Sequence, residues 1–471
     1  MRSVVVGLGK TGASCVRYLA KRGDRVSATD TRRAPPGLAE LGKLAATVDL
    51  RLGGFDLSLL EGAAQVLMSP GVSLDEPIAK SARARGIDVL GDVELFAREA
   101  QAPVIGITGT NGKSTVTTLV ARFAAAAGRR VLAGGNLGEP ALDLLDQPKP
   151  DLYVLELSSF QLETTSSLVL SAAVVLNVSA DHLDRYPSVE AYARAKGRIF
   201  AKASTVVLNA DDPWVLAMRD QAYRSDSART ITFSIEHAKA DFSLVRSGAQ
   251  IFLARRGEKL LDTARMKISG LHNAANALAA LALGEAAGLP MPGMLEALES
   301  FPGLSHRSSW VADVAGVRYV DDSKGTNVGA TKAAVAGMAG PLVVIAGGEG
   351  KGQDFAPLAE AFRGKVRETV LIGKDAPAIA AALEGVCDIR RANSMEQAVA
   401  EAAHVARHGD TVLLSPACAS FDMFRDYGHR GDVFAAAVMK LKGATADGAT
   451  ADGATGAGAA AAGATPPGAA P

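Results

Sequence analysis

Cysteine is scarce in this sequence. Three thiols in 471 residues, Cys15, Cys387 and Cys418, are odd in number and far apart. That excludes a disulfide framework and a structural zinc site, and reduced thiols are the expected state. Long apolar runs are also missing. The opening MRSVVVGLG breaks at Gly7 before a secretory core can form, so neither membrane insertion nor export is expected, and a cytoplasmic location is. No excess of one charge exists either, because fifty basic residues balance fifty acidic ones. A global field that recruits nucleic acid or an anionic membrane is thereby excluded, and any anion must be held by local loops. From Gly443 large apolar side chains vanish, and only Gly, Ala, Thr, Asp and Pro remain, with GATAD occurring twice. Such a segment has nothing to bury against its ordering entropy, so residues 443–471 are expected to form a disordered tail.

What remains is 48% hydrophobic, enough for more than one core at this length. Short β-branched runs alternate with helical patterns throughout, the signature of an α/β chain. A fresh strand, VIGIT, opens after Ala100 to Pro103, and a second break falls at Phe301-Pro302-Gly303. Three domains are expected, over residues 1–100, 101–302 and 303–442.

Three constellations carry chemistry. Gly7-Leu8-Gly9-Lys10-Thr11-Gly12 follows a strand and opens a helix, and Asp30 ends the next strand. This is the pattern of a loop that holds a diphosphate and a ribose. It specifies no nicotinamide, so a dehydrogenase and a sugar-nucleotide binder both remain open at this point. Ile105 to Thr115 reads IGITGTNGKST, between a strand and a strong helix. Its glycines let backbone N–H groups converge on phosphate oxygens, Lys113 supplies a point charge, and Ser114 reaches a Mg²⁺ ion. Ile107 stands where the first glycine of the strict phosphate-loop pattern would be, but the compact GTNGKST still reads as an ATP site.

Two later strands end in candidate metal ligands, Glu156 and the pair Asp181-His182, and strand ends in an open α/β sheet line the ligand crevice. Lys196 shares a helical stripe with Val189, Tyr192, Ala193 and Phe200, so it points inward. Burial disfavours its charged form, and a neutral amine reacts with carbon dioxide. A phosphate-loop kinase or nucleotide-driven regulator accommodates the ATP loop as well as a ligase does.

Taken together, GTNGKST, ELSSFQLE, NVSADHLDRY, LHNAANALAA, LSHR, VDDSKGTN, GGEGKG and SPACASFDMF resemble the Mur ligases of peptidoglycan synthesis, in order and over residues 1–442. DDSKGTN and SPACAS look like those of the branch that adds D-glutamate. The resemblance implies an N-terminal dinucleotide-binding-like fold for UDP, a central phosphate-loop ATPase fold, and a C-terminal dinucleotide-binding-like fold. It implies an ATP- and Mg²⁺-dependent monomer joining D-glutamate to UDP-N-acetylmuramoyl-L-alanine through an acyl phosphate.

By similarity, Thr11, Asp30, Thr31, Ser69, Asn136, Ser158 and Gln161 would meet the UDP-sugar. Gly109, Thr110, Asn111, Gly112, Lys113, Ser114, Thr115, Asn273, Asn276, Arg307, Asp322 and Lys324 would meet ATP. Thr326, Lys351, Ser420 and Tyr427 would bind D-glutamate; Tyr427 stands where the family carries phenylalanine, which keeps the ring and adds a hydroxyl. Lys113, His182 and Lys196 would be catalytic. Ser114, Glu156, His182 and Lys196 would serve the metal, the lysine as its carbamate.

Overall fold

The computed structural model of the chain describes residues 1–219, 228–268, 270–338 and 340–454. It forms two compact units, Met1–Leu304 with Lys351–Gln353, and Ser305–Gly350 with the chain from Asp354 onward.

The first unit holds two sheets. Its N-terminal sheet comprises β1 (Arg2–Val6), β2 (Arg25–Asp30), β3 (Asp49–Leu52), β4 (Gln65–Met68) and β5 (Asp88–Leu90), all parallel, in the order β3-β2-β1-β4-β5. Val4, Val5 and Val6 are fully buried, as a continuous β-branched run requires when both sheet faces are covered. The chain winds outward from β1 to β3 and then crosses to β4, so the winding reverses between β1 and β4. That switch point opens a crevice at the carboxyl ends of those strands, and the loop Gly7–Gly12 lies there.

The helix Lys10–Lys21 buries Ala13, Cys15, Val16 and Leu19. Lys10, Ser14, Arg17 and Lys21, spaced along one stripe, bond the segment 138–146. Lys10 Nζ donates to Gly138 O at 2.8 Å, Ser14 Oγ to Asp143 Oδ1 at 2.7 Å and Arg17 Nη2 to Asp143 Oδ2 at 2.8 Å, and Lys21 pairs with Asp146. This seam ties the N-terminal sheet's helix to the second sheet.

The second sheet contains β6 (Val104–Thr108), β7 (Val131–Gly135), β8 (Leu152–Glu156), β9 (Ala172–Val175), β10 (Thr205–Asn209), β11 (Arg229–Phe233), β12 (Phe242–Ser247), β13 (Gln250–Arg255) and β14 (Glu258–Asp262). Their order is β14-β13-β12-β11-β10-β9-β6-β8-β7, parallel except for the β12–β14 meander. β6 therefore sits between β8 and β9, a second switch point. The helix Leu271–Ala286 covers this sheet, with every residue from Ala277 to Leu283 fully buried. A helix apolar on all sides belongs inside a core, and each such leucine contributes about 1.5–3 kcal/mol relative to exposure.

The second unit has one sheet, of β15 (Ser309–Val314), β16 (Val317–Asp321), β17 (Leu342–Gly347), β18 (Val366–Ile372), β19 (Asp388–Arg391) and β20 (Thr411–Leu414). Its order is β15-β16-β20-β17-β18-β19, parallel apart from β15. The last helix, Tyr427–Ala454, corrects part of the composition-based expectation. Residues 443–454 carry helical backbone where no order was expected, while residues 455–471 of the expected tail lie outside the described residues. The first turns are anchored by buried Phe434 and Val438, so residues 443–454 extend a helix that is already nucleated and do not meet the cost of starting one.

Candidate active site

At the first switch point lies a cleft of about 670 Å³ lined by Gly7, Gly9, Thr11, Asp30, Thr31, Ser69, Asn136, Gln161 and Arg185, among others. Gly7 has a φ of 89°, a left-handed conformation suited to glycine. A Cβ on Gly12 would stand 1.9 Å from Gly7 O, so no side chain fits where helix and loop meet. Ser69 Oγ donates to Gly7 O at 2.6 Å, tying the ends of β1 and β4 together. Asp30 accepts from Leu8 N at 2.7 Å and from Arg32 Nε and Nη2 at 2.8 and 2.7 Å. Burial opposes its ionisation, but these hydrogen bonds outweigh it and hold the carboxyl below its usual range. Gly12→Ala is expected to destabilise the protein by about 1–3 kcal/mol through this clash. A denaturant midpoint unchanged from wild type would contradict it.

The second switch point carries the phosphate loop. Gly109 and Gly112 have φ of 150° and 84°, and the helix Lys113–Ala126 starts directly after them. A Cβ on Gly112 would lie 2.3 Å from Asn276 Oδ1, so the helix Leu271–Ala286 presses an asparagine onto the turn. Asn276 also donates to Asn273 Oδ1 at 3.3 Å. Lys113 Nζ folds back to donate to Gly109 O and Thr110 O, both at 2.8 Å. Lys196 Nζ donates to the same Gly109 carbonyl at 2.9 Å. Two amines thus meet on one acceptor.

Lys196 is 1% exposed, as its helical stripe predicts, and Ser188 caps its helix by accepting from Ala191 N at 3.3 Å. Burial, then repulsion from Lys113, lowers its pKa well below the ordinary lysine value, against the pull of Asp181 and Glu156. Glu156, at the end of β8, is also buried. Its Oε1 accepts from Asn136 Nδ2 at 2.7 Å, and its Oε2 is buried with no hydrogen-bond partner among the described residues. A buried, unpartnered carboxylate oxygen is costly unless something positive meets it, and Ser114 at the loop adds a hydroxyl. This donor set fits a hard, oxygen-preferring cation.

His182 has a φ of 55°, an uncommon conformation for a non-glycine residue and one found where the surroundings enforce it. Its ring packs edge-on to Phe160 at 4.9 Å, and Phe160 stacks on Tyr186 at 5.8 Å. Burial lowers its imidazole to about 4, with Lys351 and Lys196 adding to that and Asp181 opposing it. His182 is therefore neutral at pH 7. Because its folded pKa lies below the unfolded value near 6.5, the unfolded chain binds more protons between about pH 6.5 and pH 4, and stability falls as pH falls through that window. His182→Gln is expected to flatten this loss in thermal melts; an identical slope for both proteins would rule the effect out.

Among the described residues, one group of acids and histidine brings three ligand atoms within 4.8 Å of one another: Asp211, Glu236 and His237. Glu156, Asp181 and His182 do not form such a group. Lys351, which clusters with this unit, stands 3.8 Å from Asp181.

In the second unit, the residues expected for nucleotide and for D-glutamate share the carboxyl end of the sheet. Asp322 accepts from Ser308 N at 3.0 Å and Ser415 Oγ at 2.8 Å. Its burial, opposed by Ser415 and Arg307, raises its carboxyl to about 7. Lys324 Nζ lies 3.6 Å from the Tyr427 ring centroid, and Ser323 Oγ donates to Tyr427 O at 2.7 Å. Thr326 N donates to Lys324 O, and Ala417 N to Gly325 O, so the DSKGT loop and the turn that carries buried Ser420 are joined.

Sequence reasoning missed Asn177 and Arg430. Asn177 Oδ1 accepts from Asn111 N at 2.9 Å and its Nδ2 donates to Asn111 O at 3.1 Å, a two-bond pin on the phosphate loop from just beyond β9. Arg430 is fully buried and donates to Ser323 Oγ, Ser323 O and Cys418 O. The signal for Asn177 is its place directly after a strand neighbouring the loop; for Arg430 it is an arginine on the apolar face of a helix.

Three family models match this chain: the Mur ligase MurD-like N-terminal domain over residues 1–91, the Mur ligase middle domain over 107–284 and the Mur ligase glutamate ligase domain over 306–418. The UDP-N-acetylmuramoylalanine–D-glutamate ligase of Nitrosococcus oceani is 53% identical over 441 residues, 93% of this chain and 96% of that protein. Its counterpart from Methylobacillus flagellatus is 50% identical, over 93% and 97%. Among solved structures, the UDP-N-acetylmuramate-alanine ligase MurC of Thermotoga maritima aligns with a TM-score of 0.60 at 20% identity, over 94% of this chain and 100% of that one. MurF from Acinetobacter baumannii gives 0.59 at 16%, over 93% of each. These two show the shared fold.

Proposed function

This chain belongs to the Mur ligase family, and from that premise we propose that it is the ATP-dependent ligase that joins D-glutamate to UDP-N-acetylmuramoyl-L-alanine in peptidoglycan precursor synthesis. The observation that carries this reading is the match to D-glutamate ligases at about half identity along nearly the whole chain, 53% over 93% of its length.

The chemistry follows from the two switch-point sites. The cleft at Gly7–Gly12 suits a UDP-sugar, with Thr11, Asp30, Thr31, Ser69 and Asn136 contacting it and Ser158 and Gln161 meeting its muramoyl part. At the phosphate loop, Lys113 leaves the carbonyls of Gly109 and Thr110 for the β- and γ-phosphates of ATP, whose oxygens meet the backbone N–H groups at the helix start. The L-alanine carboxylate attacks the γ-phosphorus, the bond to the bridging oxygen breaks, and an acyl phosphate and ADP result. The amine of D-glutamate then attacks the acyl carbon, loses a proton, and phosphate leaves with the C–O bonding pair. Neutral His182 is suited to accept that proton or to orient the amine.

Mg²⁺ held by Ser114 and Glu156 would offset the charge of the phosphates. Buried Lys196, whose charged form burial and Lys113 disfavour, is suited to carbamylation, which replaces an amine facing Lys113 by an anionic group. Asn273, Asn276, Arg307, Asp322 and Lys324 complete the nucleotide site in this reading, and Thr326, Lys351, Ser420 and Tyr427 receive D-glutamate. No helix among the described residues is long and apolar enough to cross a membrane. We infer a cytoplasmic monomer that needs no nucleic acid.

The test is phosphate release with ATP, Mg²⁺ and UDP-N-acetylmuramoyl-L-alanine, comparing D-glutamate, L-glutamate and no amino acid. Release that requires both the sugar nucleotide and D-glutamate is expected. Release indifferent to both would leave a nucleotide-driven regulator or kinase instead.

A further inference from the structure

Gln161 lines the uridine-nucleotide cleft yet is itself almost fully buried. Both ends of its amide are committed. Ser158 N, which can only donate, bonds Oε1 at 3.1 Å, and Ser158 Oγ lies 3.2 Å from the same oxygen. Nε2 faces Asp92 Oδ2 at 3.3 Å. Asp92 begins the helix Asp92–Glu99, 69 residues earlier in the chain, and is 1% exposed. Its Oδ1 is buried with no hydrogen-bond partner among the described residues. Burial raises its carboxyl to about 6, against the hydrogen bonds of the Gln161 side chain and of the backbone N–H groups of Val93 and Asp92 at the start of the helix. An ionised carboxylate accepts and does not donate, whereas an amide has two N–H groups on one end and none on the other.

We propose that Asp92 is a specificity-determining positioning residue of the uridine-nucleotide site, acting through Gln161. Ser158 N already assigns the oxygen end of the amide; by accepting one Nε2 hydrogen, Asp92 holds the amide plane so that the second N–H is offered to the cleft. The ligand group met there is then an acceptor, such as an acyl or lactyl carbonyl oxygen of the sugar portion. This rests on the nucleotide reading given above. Asp92 touches neither ATP nor the reacting atoms, so its effect falls on nucleotide binding and not on turnover.

The experiment is calorimetric binding of UDP-N-acetylmuramoyl-L-alanine to the full chain, with steady-state kinetics alongside, for Asp92→Ala, Asp92→Asn, Gln161→Ala and the double Asp92→Ala/Gln161→Ala. Asp92→Ala is expected to weaken nucleotide binding and raise its KM about tenfold, with kcat and the KM values of ATP and D-glutamate within twofold. Asp92→Asn, which still presents an acceptor, restores most of the affinity. In the Gln161→Ala background, removal of Asp92 adds nothing further. Equal binding by wild type and Asp92→Ala, or independent losses in the double variant, would overturn the proposal.

If Asp92→Ala does not fold, the swapped pair Asp92→Asn/Gln161→Glu decides. It keeps a hydrogen bond with donor and acceptor exchanged, and is expected to fold but bind about tenfold more weakly; wild-type affinity would overturn the proposal. A wild-type protein that fails to bind the nucleotide at all would instead refute the nucleotide reading itself.

Discussion

Replacing Lys113 by alanine is expected to lower kcat by about a thousandfold, equivalent to about 4 kcal/mol in the barrier. The reason is geometric as much as electrostatic. In the folded chain Lys113 Nζ occupies the carbonyls of Gly109 and Thr110 at 2.8 Å, which holds it at the turn to which the proposed function assigns the phosphates. Alanine also removes two hydrogen bonds that shape the loop, but Asn177 continues to pin Asn111 from the far side. The loop should therefore persist without its charge. Steady-state phosphate release separates these effects: kcat collapses while the thermal midpoint stays near that of wild type. A kcat within tenfold of wild type would show that Lys113 does not carry the transferring charge.

Lys196→Ala should be almost as damaging, with an expected loss of about a hundredfold or more in kcat, and the form of its rescue is informative. If the working side chain is an anionic carbamate, a small carboxylate such as acetate should enter the vacated space and restore part of the activity. If the working group is the amine, a small alkylamine should do so and acetate should not. Two features of the structure favour the anion. Lys196 and Lys113 share one carbonyl acceptor, an arrangement that repels while both are charged, and burial already drives Lys196 toward its neutral form. Rescue by the amine alone would contradict the carbamate.

Much of this site is legible in local sequence because its parts are local devices. The glycine loop at Gly7–Gly12 and the turn at Gly109–Gly112 each read as a strand followed by a helix, and their positive φ values and close approaches are what those glycines are for. The inward direction of Lys196 follows from helical spacing alone. Glu156 at a strand end needs only the rule that such ends line the crevice.

What was not legible depends on which strands become neighbours. Asn177 reaches Asn111 because β9 lies beside β6, and Asp92 reaches Gln161 across 69 residues. The β12–β14 meander at the sheet edge and the Lys10-to-Lys21 seam have the same origin. Composition misled at residues 443–454, because it weighs what a segment can bury and not whether a helix already packed upstream can extend through it.

The most direct test of the central claim follows the oxygen atoms. UDP-N-acetylmuramoyl-L-alanine labelled with ¹⁸O in the alanine carboxylate is incubated with the enzyme, ATP, Mg²⁺ and D-glutamate, and the released phosphate is analysed by mass spectrometry. A ligase that works through an acyl phosphate transfers one labelled oxygen to each phosphate released. Phosphate free of label would mean that water or another acceptor attacks ATP, and would contradict the assignment.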